Sequence, residues 1–457
     1  MAEYLTNTTD LTSVANAIRT KGGTTAQLVY PSGFVSAINA IETGGGGTPI
    51  DESDITFYDY DGTIVAAWTL AELATKTELP AYPSHENLTC QGWNWTLADL
   101  KSTNRKMNVG AMYITDDGKT RIYIHLEKGR TSPMLGVCPN GTVTVDWGDG
   151  TTPDTLTGTS LTAVKWTPNH AYATPGDYVI KLTVDGTMGF GGHYLGGYLL
   201  HAIQDNSNKN IAYLNNVKKV ELGSGITSEI GNKAFYDCYS LKAISIPNYI
   251  TKIANHMFYY CYSLTFLTIP SGVKEIWQQP FFKCQSLNTV AIPKGISWFS
   301  DGTFMGCSSL KSVTIDGTFT SLLANMFNGC FTLTSFIIPT TITKLDSGVF
   351  ANCSSLLSIT LPNKITKIDG YTFEYCYSLL SLAIPNGITS IKAYTFIDCY
   401  SMQFYDFSNH TSVPTLENIN AFSNIPTDCQ IRVPSSLVDT WKAATNWSTY
   451  ADHIIGV

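Results

Sequence analysis

The sequence predicts a mainly β protein whose C-terminal half is a solenoid built on a parallel sheet. Three observations carry that expectation. Eight cysteines, Cys238, Cys261, Cys284, Cys307, Cys330, Cys353, Cys376 and Cys399, stand 23 residues apart. A Phe precedes each by three residues (Phe235, Phe258, Phe281, Phe304, Phe327, Phe350, Phe373, Phe396). A Leu follows each by three in seven cases, with Met402 in the eighth. A fixed period of this length arises when each repeat is one coil and the same position of every coil meets the same surroundings.

Composition narrows the class of function. At 457 residues the chain should hold about three domains. Its net charge is −8 and its 28 basic residues are scattered, which excludes the clustered basic footprint of a nucleic-acid binder. Charged residues are 14% of the chain against about 25% in ordinary soluble domains, while aromatics reach 12%. The surface must then be built largely from Ser, Thr, Asn, Gly and Tyr, a profile that suits an extracellular or virion surface. No stretch approaches the roughly 20 apolar residues of a membrane span, so no membrane partner is expected. The start, MAEYLTNTTDLTSVANAIRTKGG, lacks the basic opening and apolar core of a secretory signal. Either a signal was removed or the protein leaves its cell inside an assembled particle, and the second is preferred.

From the N-terminus, residues 1–43 read as a helical anchor. Leu11, Val14, Ala15 and Ile18 follow Asp10 as an N-cap; Phe34, Val35, Ile38 and Ile41 follow Pro31 and Ser32. Such short amphipathic helices either dock onto a partner or pack on their own chain. Residues 44–52 form a Gly-rich linker. Residues 53–112 form a small β-rich domain, with a hairpin around Asp61-Gly62 and a strand from Leu88 to Trp95. For Trp93 and Trp95, core packing is preferred over sugar stacking. Residues 113–190 are again β, with a hairpin expected across Asp117-Gly118. Residues 191–215 are a connector whose His193, with His201, lacks a third ligand for a metal. Residues 216–407 are the eight coils and 408–457 a C-terminal cap.

Within each coil, an apolar pair such as Ile244/Ile246 or Leu382/Ile384 makes a short strand. Stacked coils turn these strands into a parallel sheet. Pro at the next position (Pro247, Pro270, Pro293, Pro339, Pro362, Pro385) stops the strand because it cannot donate to the ladder. Asp316 stands there once, so that coil should turn differently. A second pair, such as Ile365/Ile368, supplies the returning side. The cysteines read as buried thiols in register, acting as small hydrophobes, not as disulfides or metal ligands, and no cofactor is expected. The cap is read from Val433 to Ala444 as a strand and short helix. Ser435 or Ser436 serves as N-cap, and Leu437, Val438 and Trp441 face inward.

Three resemblances follow from these motifs. The pattern I-T-x-I-x-x-x-x-F-x-x-C-x-S-L-x-x-I-x-I-P over residues 217–407 resembles the BspA-like (Treponema-type) leucine-rich repeats. Members of that family are bacterial and phage surface proteins that bind host molecules or other cells. Asp146-Trp-Gly-Asp-Gly150 with His170-x-Tyr172-x-x-Pro-Gly-x-Tyr178 resembles the polycystic-kidney-disease (PKD) type of immunoglobulin-like β-sandwich. Gly148 and Gly150 would permit the turn, and Asp146 and Asp149 would cap backbone N–H groups in preference to binding calcium. Residues 55–95 resemble the small β-grasp-like repeats of bacterial surface proteins.

Positions beside the cysteines are rich in aromatics. Tyr236, Tyr239, Tyr259, Tyr260, Tyr262, Tyr375, Tyr377 and Tyr400, with Phe282 and Phe331, cannot all face the core. Successive coils would offer them as a ridge for glycan rings or a protein, the strand face being the rival surface. The domain order looks like tail- or fibre-associated proteins of phages of gut Firmicutes, with an anchor, β spacers and a solenoid displayed as a rod. The expected function is a virion-surface binding protein that holds other virion proteins through its N-terminal segment and a host-surface glycan or protein through its repeats. Several copies, a trimer first among homo-oligomers, would add avidity. The alternatives are a bacterial cell-surface adhesin and a purely structural virion decoration protein. Catalysis is not expected: glycosidases need two carboxylates about 5–9 Å apart in a cleft, and Asp301, Asp346, Asp369 and Glu374 show no evident pairing.

Overall fold

A computed structural model describes residues 54–103, 105–128, 132–190, 200–201, 216–228, 230–316 and 319–457. The expected N-terminal helices, the Gly-rich linker and His193 with most of its connector lie outside these residues.

The small domain is a four-stranded mixed sheet of β1 (Ile55–Tyr58), β2 (Ile64–Trp68), β3 (Leu88–Trp93) and β4 (Met107–Thr115), in the order β2-β1-β4-β3. The expected hairpin is present: β1 and β2 pair antiparallel, and Thr63 N–H donates to Asp61 Oδ1 at 2.9 Å across the turn. Helix α1 (Leu70–Thr75) opens with a reciprocal Thr69/Glu72 capping box, and α2 spans Leu97–Thr103.

The hairpin expected across Asp117-Gly118 does not form. The turn exists, with Gly118 at φ 71°, but its two strands go to different sheets. β4 already has β1 on one edge and β3 on the other. The following strand β5 (Thr120–Leu126) is flanked by β9 (Gly176–Gly189) and β11 (Val217–Glu221). β1 takes only Met107–Gly110 of β4 and β3 only Ala111–Thr115, but β5 is flanked on both edges and has no ladder left for β4.

The second β region includes β6 (Met134–Asp146), β7 (Asp154–Thr159), β8 (Lys165–Trp166) and β10 (Leu200–His201). Its strands join one eight-stranded sheet whose path runs β10-β6-β9-β5-β11-β12, with β7 and β8 on β6; β12 is Ala243–Ser245, the first solenoid strand. Hydrogen bonding carries this sheet straight into the coils. Its turn residues act as capping groups: Asp146 Oδ1 accepts from Gly148 N–H at 2.9 Å and Asp149 Oδ1 from Thr151 N–H at 3.1 Å. His170 holds the other Asp149 oxygen at 2.8 Å and stacks on Trp147.

The solenoid makes about ten turns. Numbering coils by their cysteine, from Cys238 as coil 1 to Cys399 as coil 8, the strands pair in parallel at a strict 23-residue register. Phe266 lies beside Thr289, which lies beside Ser312; Lys252 lies beside Glu275, which lies beside Trp298. All eight Phe rings are fully buried and stack face to face, from Phe235 on Phe258 at 5.4 Å to Phe373 on Phe396 at 5.7 Å. The cysteines do more than fill space. Each thiol from Cys261 onward donates to the carbonyl of the Phe in the coil before it, at 3.1 Å for Cys261 to Phe235 and 3.3 Å for Cys399 to Phe373. All eleven cysteines are unbridged.

The small domain lies along the side of the array and is not strung in line ahead of it. Asn94 Nδ2 donates to the carbonyls of Ile269 at 3.1 Å and Ala291 at 3.0 Å, and Trp95 Nε1 to Ile292 at 2.8 Å. Trp93 and Trp95 are both buried, Trp95 between domain and coils. Gly110 sits where β4 crosses the solenoid, and a Cβ there would lie 2.1 Å from Thr268 Oγ1. Asp316, the departure from the Pro pattern, forms an ion pair with Arg105 at 3.1 Å.

The parallel sheet continues past coil 8 through Gln430–Val433 and Ile454–Gly456. Trp441, Trp447 and Phe407 close the end, all fully buried or nearly so. The Ser N-cap is corrected: helix α3 (Val438–Ala443) starts at Leu437 without a side-chain cap. Ser435 instead bonds the Val457 carbonyl through both its N–H, at 3.3 Å, and its hydroxyl, at 3.2 Å. Leu437 and Val438 are half-buried and only Trp441 is enclosed.

Three measurements check this account. Thiol reagent should modify at most the half-buried Cys90 in the native chain and all eleven cysteines once it is unfolded. Phe327→Ala should cost about 3–5 kcal/mol by chemical denaturation. His410, enclosed between Phe407, Trp441 and the Ile384 carbonyl, has its imidazole held below its ordinary pKa by burial. A lowered folded-state pKa means its stabilising contribution is whole above the unfolded value of about 6.5 and is lost as pH falls below it. Urea resistance should therefore drop from pH 7.5 to pH 5, and by a smaller margin in His410→Gln. An unchanged margin would refute this role.

Candidate binding surface

The turn that carries each Cys has a backbone fixed at two points. The residues five and one before every Cys have positive φ in all eight coils, from Lys233 (60°) and Asp237 (60°) in coil 1 to Tyr394 (58°) and Asp398 (61°) in coil 8. This conformation costs a residue with a Cβ roughly 1–2 kcal/mol. Coils 4 to 6 meet it with the tolerant residues Gly302, Gly306, Asn325, Gly329, Gly348 and Asn352. Coils 1 to 3 and 7 to 8 place Lys, Asp, His, Tyr and Gln there instead. Two ends of one edge thus bear strain that the middle avoids.

Those ends are where the structure gathers the predicted tyrosines, as two patches and not one ridge. In coils 1 and 2, Tyr236 stacks on Tyr259 at 4.9 Å and Tyr239 on Tyr262 at 5.0 Å, with Tyr260 wedged against Tyr259 at 4.4 Å. All five are half-buried, and Phe282 of coil 3 extends the Tyr236/Tyr259 stack at 4.4 Å. In coils 7 and 8, Tyr377 stacks on Tyr400 at 5.3 Å with Tyr375 5.9 Å from Tyr377. Tyr377 and Tyr400 are 42% and 54% exposed. Phe331 stands exposed in coil 5 between the patches.

The patches differ in charge. Lys233 lies 5.5 Å from the Tyr236 ring and Lys283 lies 5.7 Å from that of Tyr260. The second patch holds Glu374 and Asp398; burial first, and then the Asp398 charge, push the Glu374 carboxyl up from its ordinary value. Asp346 and Asp369 sit elsewhere, each just after a returning strand and paired with its Lys344 or Lys367.

Sequence reading missed Tyr371 and Tyr394, which stack at 5.1 Å beside the second patch, and the two aspartates Asp237 and Asp398. The signal was present in the Gly and Asn of coils 4 to 6, which mark both columns as positive-φ sites. The rival strand face is partly occupied. Ala243, Ser245, Phe266, Thr268, Thr289 and Ala291 in coils 1 to 3 are buried, and from coil 5 onward Ser335, Ile337, Ser358, Thr360 and Ala383 are open.

Comparison with known proteins identifies the array. Residues 228–357 and 320–444 match the family described as BspA type Leucine rich repeat region, in six copies. The coils are BspA-type leucine-rich repeats. Among solved structures, a leucine rich cell surface protein from Faecalibacterium prausnitzii is 23% identical, covering 48% of this chain and 78% of that one at a TM-score of 0.31. A leucine-rich repeat protein from Eubacterium ventriosum is 18% identical over 55% and 72% of the two chains, at 0.34. The Leucine Rich Repeat protein of T. pallidum is 26% identical over 41% and 84%, at 0.27. No curated protein matches the chain.

The positive-φ columns can be tested at Gly329, where an added Cβ would touch nothing closer than 3.5 Å, so that backbone strain alone is read. Gly329→Ala should lower unfolding stability by about 1 kcal/mol, and Gly329→Asn by less.

Proposed function

We propose that this chain is a non-catalytic recognition protein that binds a glycan or protein of a host-cell surface through the tyrosine patches on the turn edge of its repeats. The observation that carries the reading is the segregation along that edge. Tyrosine clusters in coils 1 and 2 and again in coils 7 and 8, where Tyr260, Tyr371, Tyr375 and Tyr394 even occupy positive-φ sites, while Gly and Asn fill those sites in coils 4 to 6. A coil that only had to stack would use the tolerant residues throughout. Cover over coils 1 to 3 of the strand face also favours the turn edge as the contact surface. BspA-type repeats suit either a virion appendage, held to other virion proteins by residues 1–43, or an adhesin on a bacterial surface. Display in several copies, for instance as a trimer, would raise avidity in both settings.

Full-length chain at micromolar concentration should adsorb to at least one member of a panel of Gram-positive, Gram-negative and epithelial cells. Combined Tyr239→Ser, Tyr262→Ser, Tyr377→Ser and Tyr400→Ser should reduce adsorption tenfold or more. No adsorption to any cell would sink the recognition role and leave structural decoration in its place. Immunogold labelling of particles against cells separates the virion setting from the bacterial one.

A further inference from the structure

The two patches contain the same constellation twice. Coil 1 reads Asp237-Cys238-Tyr239 and coil 2 reads Tyr260-Cys261-Tyr262. Coil 7 reads Tyr375-Cys376-Tyr377 and coil 8 reads Asp398-Cys399-Tyr400. The coil order is reversed between them, the aspartate lying in the first coil of one patch and the second coil of the other. Each aspartate is only 7% exposed. The Tyr two residues after it has its hydroxyl pushed above its ordinary pKa, by burial and then the Asp237 charge at Tyr239, and by Asp398 first at Tyr400. That Tyr stacks on its counterpart in the neighbouring coil, at 5.0 Å in the first patch and 5.3 Å in the second. The third Tyr closes the side, 5.6 Å from Tyr262 and 5.9 Å from Tyr377. Coils 3 to 6 carry Lys-Cys-Gln, Gly-Cys-Ser, Gly-Cys-Phe and Asn-Cys-Ser at the same places, so the period alone does not produce the arrangement.

One detail points to a ligand. Asn424 Nδ2 donates to Asp398 Oδ1 at 2.7 Å, whereas Asp237 Oδ1 is buried with no hydrogen-bond partner among the described residues. A buried acceptor of that kind is costly unless a donor reaches it. Its neighbours are phenol rings and hydroxyls, and Lys233 and Lys283 flank the patch, which disfavours a cationic ligand. A group that brings several O–H donors and an apolar C–H face meets these demands, and a neutral pyranose has both.

We propose that the two patches are subsites for neutral saccharide, alike in composition and reversed in coil order, each an aspartate set among three tyrosines, and that together they grip one glycan chain at two points. This rests on the reading of the turn edge as the binding surface. Coils 2 and 7 are five steps apart, roughly 25 Å at the spacing of adjacent strands, a span that a repeating glycan bridges so that its second contact is intramolecular.

The test uses full-length chain, affinity electrophoresis through gels containing mannan, dextran or soluble cell-wall polysaccharide, and adsorption to the cell panel after periodate or protease treatment. Asn tolerates positive φ, so Asp237→Asn and Asp398→Asn keep the turn foldable. The expected result is retardation by at least one polysaccharide. Each single variant should weaken it about tenfold and the double variant should abolish it, and adsorption should be lost after periodate but kept after protease. Adsorption lost after protease and kept after periodate would overturn the saccharide assignment while leaving recognition by the turn edge intact. Retardation of the double variant equal to that of the unaltered chain would also overturn it. No adsorption to untreated cells would remove both readings together.

Discussion

Each Phe carbonyl in coils 1 to 7 accepts two hydrogens at once, the N–H of the Cys in its own coil and the S–H of the Cys in the next. The second bond can form only if the next coil repeats the first without insertion or loss, so the 23-residue register is enforced at the centre of the core. The Phe rings add to the same constraint. Stacked aromatic pairs contribute about 0.5–1.5 kcal/mol each beyond their burial, and a coil displaced by one residue would lose two of them. Burial pushes the thiols well above their ordinary pKa, which keeps them protonated as donors and poor nucleophiles.

A stack held this way leaves its two ends open, and both are sealed by continuation of the sheet. At the start, β11 pairs with the first solenoid strand on one side and with β5 on the other, so the coils grow from the sheet before them. At the finish, Gln430–Val433 and Ile454–Gly456 add two further strands under a lid of Trp441, Trp447 and Tyr450. Unpaired strand edges invite association with other chains, and here the described sheet is terminated by aromatic cover. The small domain consumes part of one remaining face, anchored by Asn94 and Trp95 on solenoid carbonyls.

What is left for recognition is the turn edge and the later coils of the strand face. The turn edge carries its chemistry at a cost. Tyr260, Tyr371, Tyr375 and Tyr394 occupy a backbone region that favours Gly or Asn, although other coils show that Gly or Asn is accepted there. Strain kept at chosen positions of a periodic scaffold is informative because the scaffold provides its own control, coil against coil.

The repeat array was legible in the sequence because its determinants are local and recur. Phe235 and its successors, the cysteines, the apolar pairs and the strand-stopping prolines each mark a position whose neighbour is one period away, and all took up the expected places. The tyrosines of the candidate surface were legible as a composition, and adjacency on a turn was enough to argue that some lie outside. Other features depended on long-range partners that no local pattern names. Whether β4 and β5 form a hairpin was decided by strands β9 and β11, which take both edges of β5. Asp316 replaces Pro because Arg105, more than two hundred residues earlier, meets it. The single ridge became two patches because Gln285, Ser308, Phe331 and Ser354 follow the cysteines of coils 3 to 6 where the outer coils carry tyrosine. Local sequence determined what one coil is. The packing of distant segments, each satisfying backbone groups or charges that the other left unpaired, decided which of its faces remain free.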